Sequence, residues 1–166
     1  MDLTEDRLVI SKSLSDLDET VVAFTTLLDQ NDITYAIVSG YLAILTGRSR
    51  GTEDIDVLLE PLSENRTGEL TDEFEADGYW GTAMPLDEMY AMLSNGSRIR
   101  VAEEDRLVPN FELFFATSEF EQRVLTNRLT AEVGGEEIAV SPIEEQIAYK
   151  LRLAQDQGVT TGKDFE

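Results

Sequence analysis

From Ser15 onward, apolar residues recur at three- and four-residue steps. Leu17, Val21, Phe24 and Leu28 share one face and predict an amphipathic helix, with Ser15 and Asp18 as its capping pair. Asn31-Asp32 ends that pattern, and the residues before it, 1–12, read as a loose polar arm. Tyr35-Ala36-Ile37-Val38 is a short apolar run of strand type, broken by Ser39-Gly40. Tyr41 to Leu45 reads as a short helix that Gly47 stops, and Arg48 to Glu53 as a polar loop. Asp54 to Leu59 is the next strand, ended before Pro61.

Farther on the pattern predicts a helix within Leu62 to Ala76, a strand at Tyr79 to Thr82 and a short helix at Leu86 to Leu93. Strands follow at Arg98 to Ala102 and Val108 to Phe115, turning around Glu103-Glu104-Asp105. Ser118 and Glu121 open a helix as a capping box. The segments Thr130 to Val133 and Glu136 to Val140, joined by Gly134-Gly135, have the turn chemistry of a hairpin. Ser141-Pro142-Ile143-Glu144 then starts a helix expected to run to about Gln157. Gly162 to Glu166 reads as a further helix that begins without a cap to close it, so the chain is expected to continue past Glu166. This order predicts an α/β (α+β) fold: one domain over residues 1–166, a mixed sheet of about five strands, helices mainly on one side, and a C-terminal hairpin and helices. The aromatics Tyr79, Trp80, Phe111, Phe114 and Phe115 fall on strands and are expected in the core.

Composition narrows the chemistry. The 166 residues contain neither cysteine nor histidine, which excludes thiol nucleophiles, zinc–thiolate sites and any histidine-based triad. A metal ion here would sit on oxygen ligands, which favours Mg²⁺ or Mn²⁺, with Ca²⁺ also open. Acids outnumber bases 34 to 13, for a net charge of −21. Such self-repulsion destabilises a compact chain at modest salt, whereas molar salt shortens the screening length to about 3 Å. The composition therefore fits a halophile's protein. There is no signal-type segment or membrane-length apolar run, and a cytoplasmic location with no membrane partner is expected.

One segment concentrates candidate chemistry. Asp54 and Asp56 on one strand point the same way, while Ile55 points into the core. The acid-x-acid spacing alone carries little, because Asp16/Asp18, Glu73/Glu75 and Glu75/Asp77 repeat it in this acidic chain. What distinguishes the pair is its strand: Ile55, Val57, Leu58 and Leu59 force the carboxylates to the mouth of a buried element, where burial without a partner is costly. Gly40 lets backbone approach a ligand at a helix start, a setting suited to phosphate.

Ser39-Gly40, thirteen further residues and then Asp54-Ile55-Asp56-Val57 resembles the signature of the polymerase-β-like nucleotidyltransferases. Arg48 to Asp56 is similar to the loop of their minimal, abortive-infection-toxin-like branch, here of a haloarchaeal type. The usual turn is Gly-Ser or Gly-Gly, whereas here a serine precedes a single glycine. The resemblance implies Asp54 and Asp56 as catalytic metal ligands and Glu112, flanked by Phe111 and Leu113, as the third carboxylate. It implies Ser39, Gly40 and Lys150 as nucleotide-binding residues, Lys150 lying on the face of Ile143, Ile147 and Ala154; Lys163-Asp164 resembles a later supporting pair. From the residues themselves, Arg48 and Arg50 are candidates for steering and binding nucleotide phosphate, or equally for surface pairing with Glu53 or Glu60, and Thr52 reads as a loop cap.

The implied activity is transfer of a nucleoside monophosphate from an NTP to a hydroxyl of RNA, protein or a small molecule, with Mg²⁺ or Mn²⁺. The surface charge opposes RNA as the acceptor. Two other readings stay open: a weakly active or inactive nucleotidyltransferase-like module that binds an antitoxin or other protein partner, and an acidic α/β protein whose Asp pair holds a stray cation.

Overall fold

The computed structural model describes residues 2–45 and 54–156. Two short strands, β1 (Asp2–Leu3) and β2 (Arg7–Ile10), precede the helix α1 (Asp16–Gln30). Next come β3 (Tyr35–Val38), α2 (Gly40–Leu45), β4 (Asp54–Leu59), α3 (Glu64–Ala76) and β5 (Tyr79–Gly81). A 3-10 turn at Leu86–Glu88 leads into α4 (Met89–Ser94). The chain continues through β6 (Ile99–Glu103), β7 (Asn110–Phe115), α5 (Glu119–Thr126), β8 (Leu129–Val133), β9 (Glu136–Val140) and α6 (Ile143–Asp156).

Among the described residues the strands form one mixed sheet of nine in the order β1-β2-β8-β9-β3-β4-β7-β6-β5, rather than about five. Two long-range pairings account for the difference. The predicted hairpin β8–β9 joins the sheet through Ile37↔Val140, parallel to β3. The supposed loose arm is also a strand: β2 runs parallel to β8, with Leu8 opposite Ala131 and Ile10 opposite Val133. Four residues flanked by charges carry too little local pattern to announce this, but Leu8 is fully buried once the pairing forms.

Most helical packing lies on one face. Phe24 of α1 stacks on Phe111 of β7 at 3.8 Å between centroids and on Phe74 of α3 at 5.3 Å. Ile37, Ile55, Val57, Phe111 and Leu113 send their side chains into this main core. The opposite face is covered over a smaller area, where Ala36, Leu58 and Phe114 pack against Val124 and Leu125 of α5. Trp80 departs from expectation: it is 37% exposed, and its indole N–H donates to the Arg106 carbonyl at 2.8 Å. Among the described residues no helix is long and apolar enough to cross a membrane.

Helix starts follow the sequence chemistry. Ser15 and Asp18 form a reciprocal capping box on α1, as do Ser118 and Glu121 on α5. Asp18 does more than cap. It is buried, its Oδ2 meets Lys12 Nζ at 2.7 Å, and its Oδ1 accepts from the Tyr41 hydroxyl at 2.7 Å. That bond fastens α2, the helix behind the Ser39-Gly40 turn, to α1.

Candidate functional site

Strand register builds the site. On β4, Asp54, Asp56 and Leu58 alternate away from the main core; on β7, Asn110, Glu112 and Phe114 do the same. The two strands are parallel neighbours, so Asp54 faces Asn110, Asp56 faces Glu112 and Leu58 faces Phe114. Two carboxylates thus stand side by side in mid-sheet, with 20% and 17% of the Asp56 and Glu112 side chains exposed.

Between them lies a cation that the sequence did not announce. Arg98, one residue before β6, places Nη1 3.8 Å from Asp56 Oδ1 and 3.7 Å from Glu112 Oε1. Its guanidinium carbon sits 3.9 Å from the centre of the Phe114 ring. The register explains the reach: β6 is antiparallel to β7, with Arg100 opposite Glu112, so residue 98 comes level with Phe114. Before folding, Arg98 is only one arginine after an Asn-Gly-Ser turn, and no local signal marks it.

Asp54 has a different partner. The Asn110 amide nitrogen donates to Asp54 Oδ1 at 2.7 Å and reaches the Leu107 carbonyl at 3.4 Å. The amide oxygen of Asn110 is buried with no hydrogen-bond partner among the described residues. Asn110 was also missed; its only signal is that it shares a strand face with Glu112.

The third side of the site is the turn after β3. Val38 pairs with Asp56, and the Ser39 hydroxyl stands close enough to the Asp56 carboxylate to favour its charged form. Ser39 has φ of 65°, a left-handed conformation that favours glycine. The serine thus stands where backbone geometry prefers the residue of the usual turn. Gly40 opens α2 immediately behind it.

Burial raises the pKa of Asp56 above the ordinary carboxylate value. Arg98 and the Ser39 hydroxyl oppose that rise, while the charges of Glu112 and Asp54 add to it. Burial is the largest of these effects, and a cation bound beside Asp56 would offset it.

The structure brings Ser39, Asp56 and Glu112 together and holds Asp54 one pleat away. Among the described residues no three acids stand close enough to form a ready-made metal cage. Lys150 is on α6, whose first turn contributes Glu145 and Gln146 to an apolar slot with Val38, Leu58, Phe114 and Phe120. Its expected apolar stripe is only partly buried: Ala154 is 4% exposed but Ile147 is 55% exposed. The Lys150 side chain, Arg48, Arg50, Thr52, Lys163 and Asp164 lie outside the described residues.

The oxygen-only donor set suits Mg²⁺ or Mn²⁺. Mg²⁺ commonly takes one or two carboxylates and draws its other ligands from water and phosphate. The Asp56–Glu112 pair fits that requirement, and the seated guanidinium shows that the space between them accepts positive charge.

No protein-family model matches the chain, and no curated protein matches it at a significant level. Solved structures do. An antigenic nucleotidyltransferase-like protein from Paracoccidioides brasiliensis is similar over 92% of this chain and 73% of its own, with 22% identity and a TM-score of 0.63. The antibiotic-resistance factor ANT(2'')-Ia aligns over 90% of this chain and 80% of its own, at 15% identity and a TM-score of 0.57. The lincosamide antibiotic adenylyltransferase LnuA, solved with lincomycin, aligns over 83% of this chain and 87% of its own, at 16% identity and a TM-score of 0.55. At these identities the likeness is one of fold: the chain has a nucleotidyltransferase-like fold.

Proposed function

We propose that the chain is a metal-dependent nucleotidyltransferase that moves a nucleoside monophosphate from an NTP to an acceptor hydroxyl. The observation that carries this reading is the rung shared by Asp56 and Glu112, beside the Ser39 turn and within a nucleotidyltransferase-like fold. In the reaction the acceptor oxygen bonds to the α-phosphorus, the α–β phosphoanhydride breaks, and pyrophosphate leaves. Glu112 takes the proton of the attacking hydroxyl. Asp54 and Asp56, with Glu112, hold Mg²⁺ or Mn²⁺, which when bound neutralises phosphate charge and acidifies the acceptor hydroxyl. Ser39 and Gly40 contact the distal phosphates, and Arg50 and Lys150 neutralise charge around them.

The acidic surface favours a protein or small-molecule acceptor over RNA. The proposal includes the toxin-like branch, a halophilic setting and a cytoplasmic location. One observation favours a second reading, a weakly active or inactive module that binds an antitoxin-type protein: Arg98 already sets a positive charge between the two carboxylates.

Labelled NTPs incubated with the protein, Mg²⁺ or Mn²⁺ and candidate acceptors decide between the readings. Transfer that disappears in Asp56→Asn and Glu112→Gln supports the enzyme. Absence of transfer to every acceptor class, with nucleotide still bound, supports the module.

A further inference from the structure

We infer that Arg98 is a built-in counter-ion that takes the place of a divalent cation between Asp56 and Glu112, and that it yields this place when metal arrives together with a triphosphate. The inference rests on the proposed function, since it concerns control of the same site.

Geometry separates Arg98 from the other described arginine pairs. Arg7 meets Glu132 at 2.6 Å and Glu137 at 2.7 Å, and Arg123 meets Glu145 at 3.0 Å, the lengths of charge-assisted hydrogen bonds. Arg98 stands 3.8 and 3.7 Å from its two acids. Arg106 stands equally far from Glu103, at 3.8 Å, but it meets that one exposed acid alone, whereas Arg98 faces two largely buried acids at once. It is centred between the carboxylates rather than clamped to either, as a shared cation would be.

The arginine is placed to leave. Its side chain is 38% exposed, and its residue lies outside β6, after the Asn95-Gly96-Ser97 turn. The turn itself is anchored: the Ser97 amide donates to the Met92 carbonyl at 3.0 Å and to Asn95 Oδ1 at 3.0 Å. The side chain can therefore swing off the Phe114 ring while the backbone stays fixed. A triphosphate arriving over the same sheet face offers a stronger acceptor, since guanidinium matches phosphate oxygens bidentately.

Two consequences follow by linkage. Metal alone must displace a resident charge, so it binds weakly. Metal with nucleotide binds more tightly, because the displaced guanidinium gains a partner.

The test is Mn²⁺ affinity, read from the signal of free Mn²⁺, with and without a non-hydrolysable NTP analogue. The variants are Arg98→Gln, Arg98→Lys and, as a control for general charge, Arg100→Gln, which removes an exposed arginine on the neighbouring strand position opposite Glu112. Arg98→Gln is expected to bind Mn²⁺ alone about three- to tenfold more tightly than the parent, beyond any change in Arg100→Gln. The gain in Mn²⁺ affinity produced by the nucleotide should shrink by a similar factor. Arg98→Lys should fall between parent and Arg98→Gln.

Equal or weaker Mn²⁺ binding in Arg98→Gln, or an equal gain in Arg100→Gln, overturns the inference. If Arg98→Gln does not fold, the Arg98→Lys comparison decides by the same criterion. Mn²⁺ binding is also measured in Asp56→Asn and Glu112→Gln. Unchanged affinity there would show that the carboxylate pair is not the cation site, which removes the proposed function along with the inference. Loss of binding there, with no effect at Arg98, removes the inference alone.

Discussion

The Tyr41 hydroxyl donates to Asp18 Oδ1 at 2.7 Å, joining the helix behind the candidate phosphate turn to the first turn of α1. Burial alone would raise the Asp18 pKa. The bonds from Lys12, the Ser15 backbone, Tyr41 and the Ser15 hydroxyl outweigh it and hold the carboxyl below its ordinary value. Tyr41→Phe, which leaves one buried carboxylate oxygen without its donor, should cost about 1.5–3 kcal/mol by urea unfolding. The pH dependence has a definite sign. A depressed carboxyl gives stability that is complete above about pH 4 and is lost as pH falls through the folded value. In Asp18→Asn the acid limb of the stability–pH curve should flatten.

At Asp56 the sign is reversed. Its folded pKa is raised, so its charge burdens the metal-free protein at neutral pH. That burden is absent below about pH 4 and appears as pH rises through the folded value. Asp56→Asn should therefore raise the melting temperature at pH 7 without metal, and the gain should narrow as pH is lowered. Transfer activity, by contrast, should fall by at least about 10²-fold in Asp56→Asn and in Glu112→Gln. A loss of stability in Asp56→Asn at pH 7 would contradict the account.

Ser39 allows backbone strain and the hydroxyl's contribution to be separated. With φ of 65°, Ser39→Ala keeps the strain and loses the hydroxyl beside Asp56, whereas Ser39→Gly loses the hydroxyl and relieves the strain. Ser39→Gly should be more stable than Ser39→Ala by about 1 kcal/mol in denaturant titrations. Equal stabilities would mean that the turn is not strained in solution.

With a net charge of −21, the protein should melt later as KCl is raised from 0.1 M to molar levels. Over that range the screening length falls from about 10 Å to about 3 Å. A rise in melting temperature of more than about 5 °C, followed by circular dichroism, is the expected result. A flat response would remove the halophilic part of the proposal.

Local chemistry was the legible part of this chain. The Ser15–Asp18 and Ser118–Glu121 boxes, the Gly134-Gly135 hairpin and the strand Asp54–Leu59 could be read because each is specified by residues a few positions apart. The side on which Asp54 and Asp56 stand followed from Ile55 and Val57, which had to be buried. Sheet order was not legible, because the pairing of β2 with β8 depends on contacts across the whole chain. Arg98 was hidden for the same reason: its meaning comes from β6, β7 and β4 lying side by side. Trp80 was misplaced because the pattern of a three-residue strand does not reveal which face another element will cover.

The pairing of β2 with β8 also constrains the protein's biosynthesis. Arg7 and its partner Glu132 are 125 positions apart, so the first substantial strand emerges from the ribosome long before the strand it needs. Leu8 and Ile10 must wait, uncovered, until residues 129–133 have been translated, and the strip they then form joins β3 only after β9, residues 136–140, has followed.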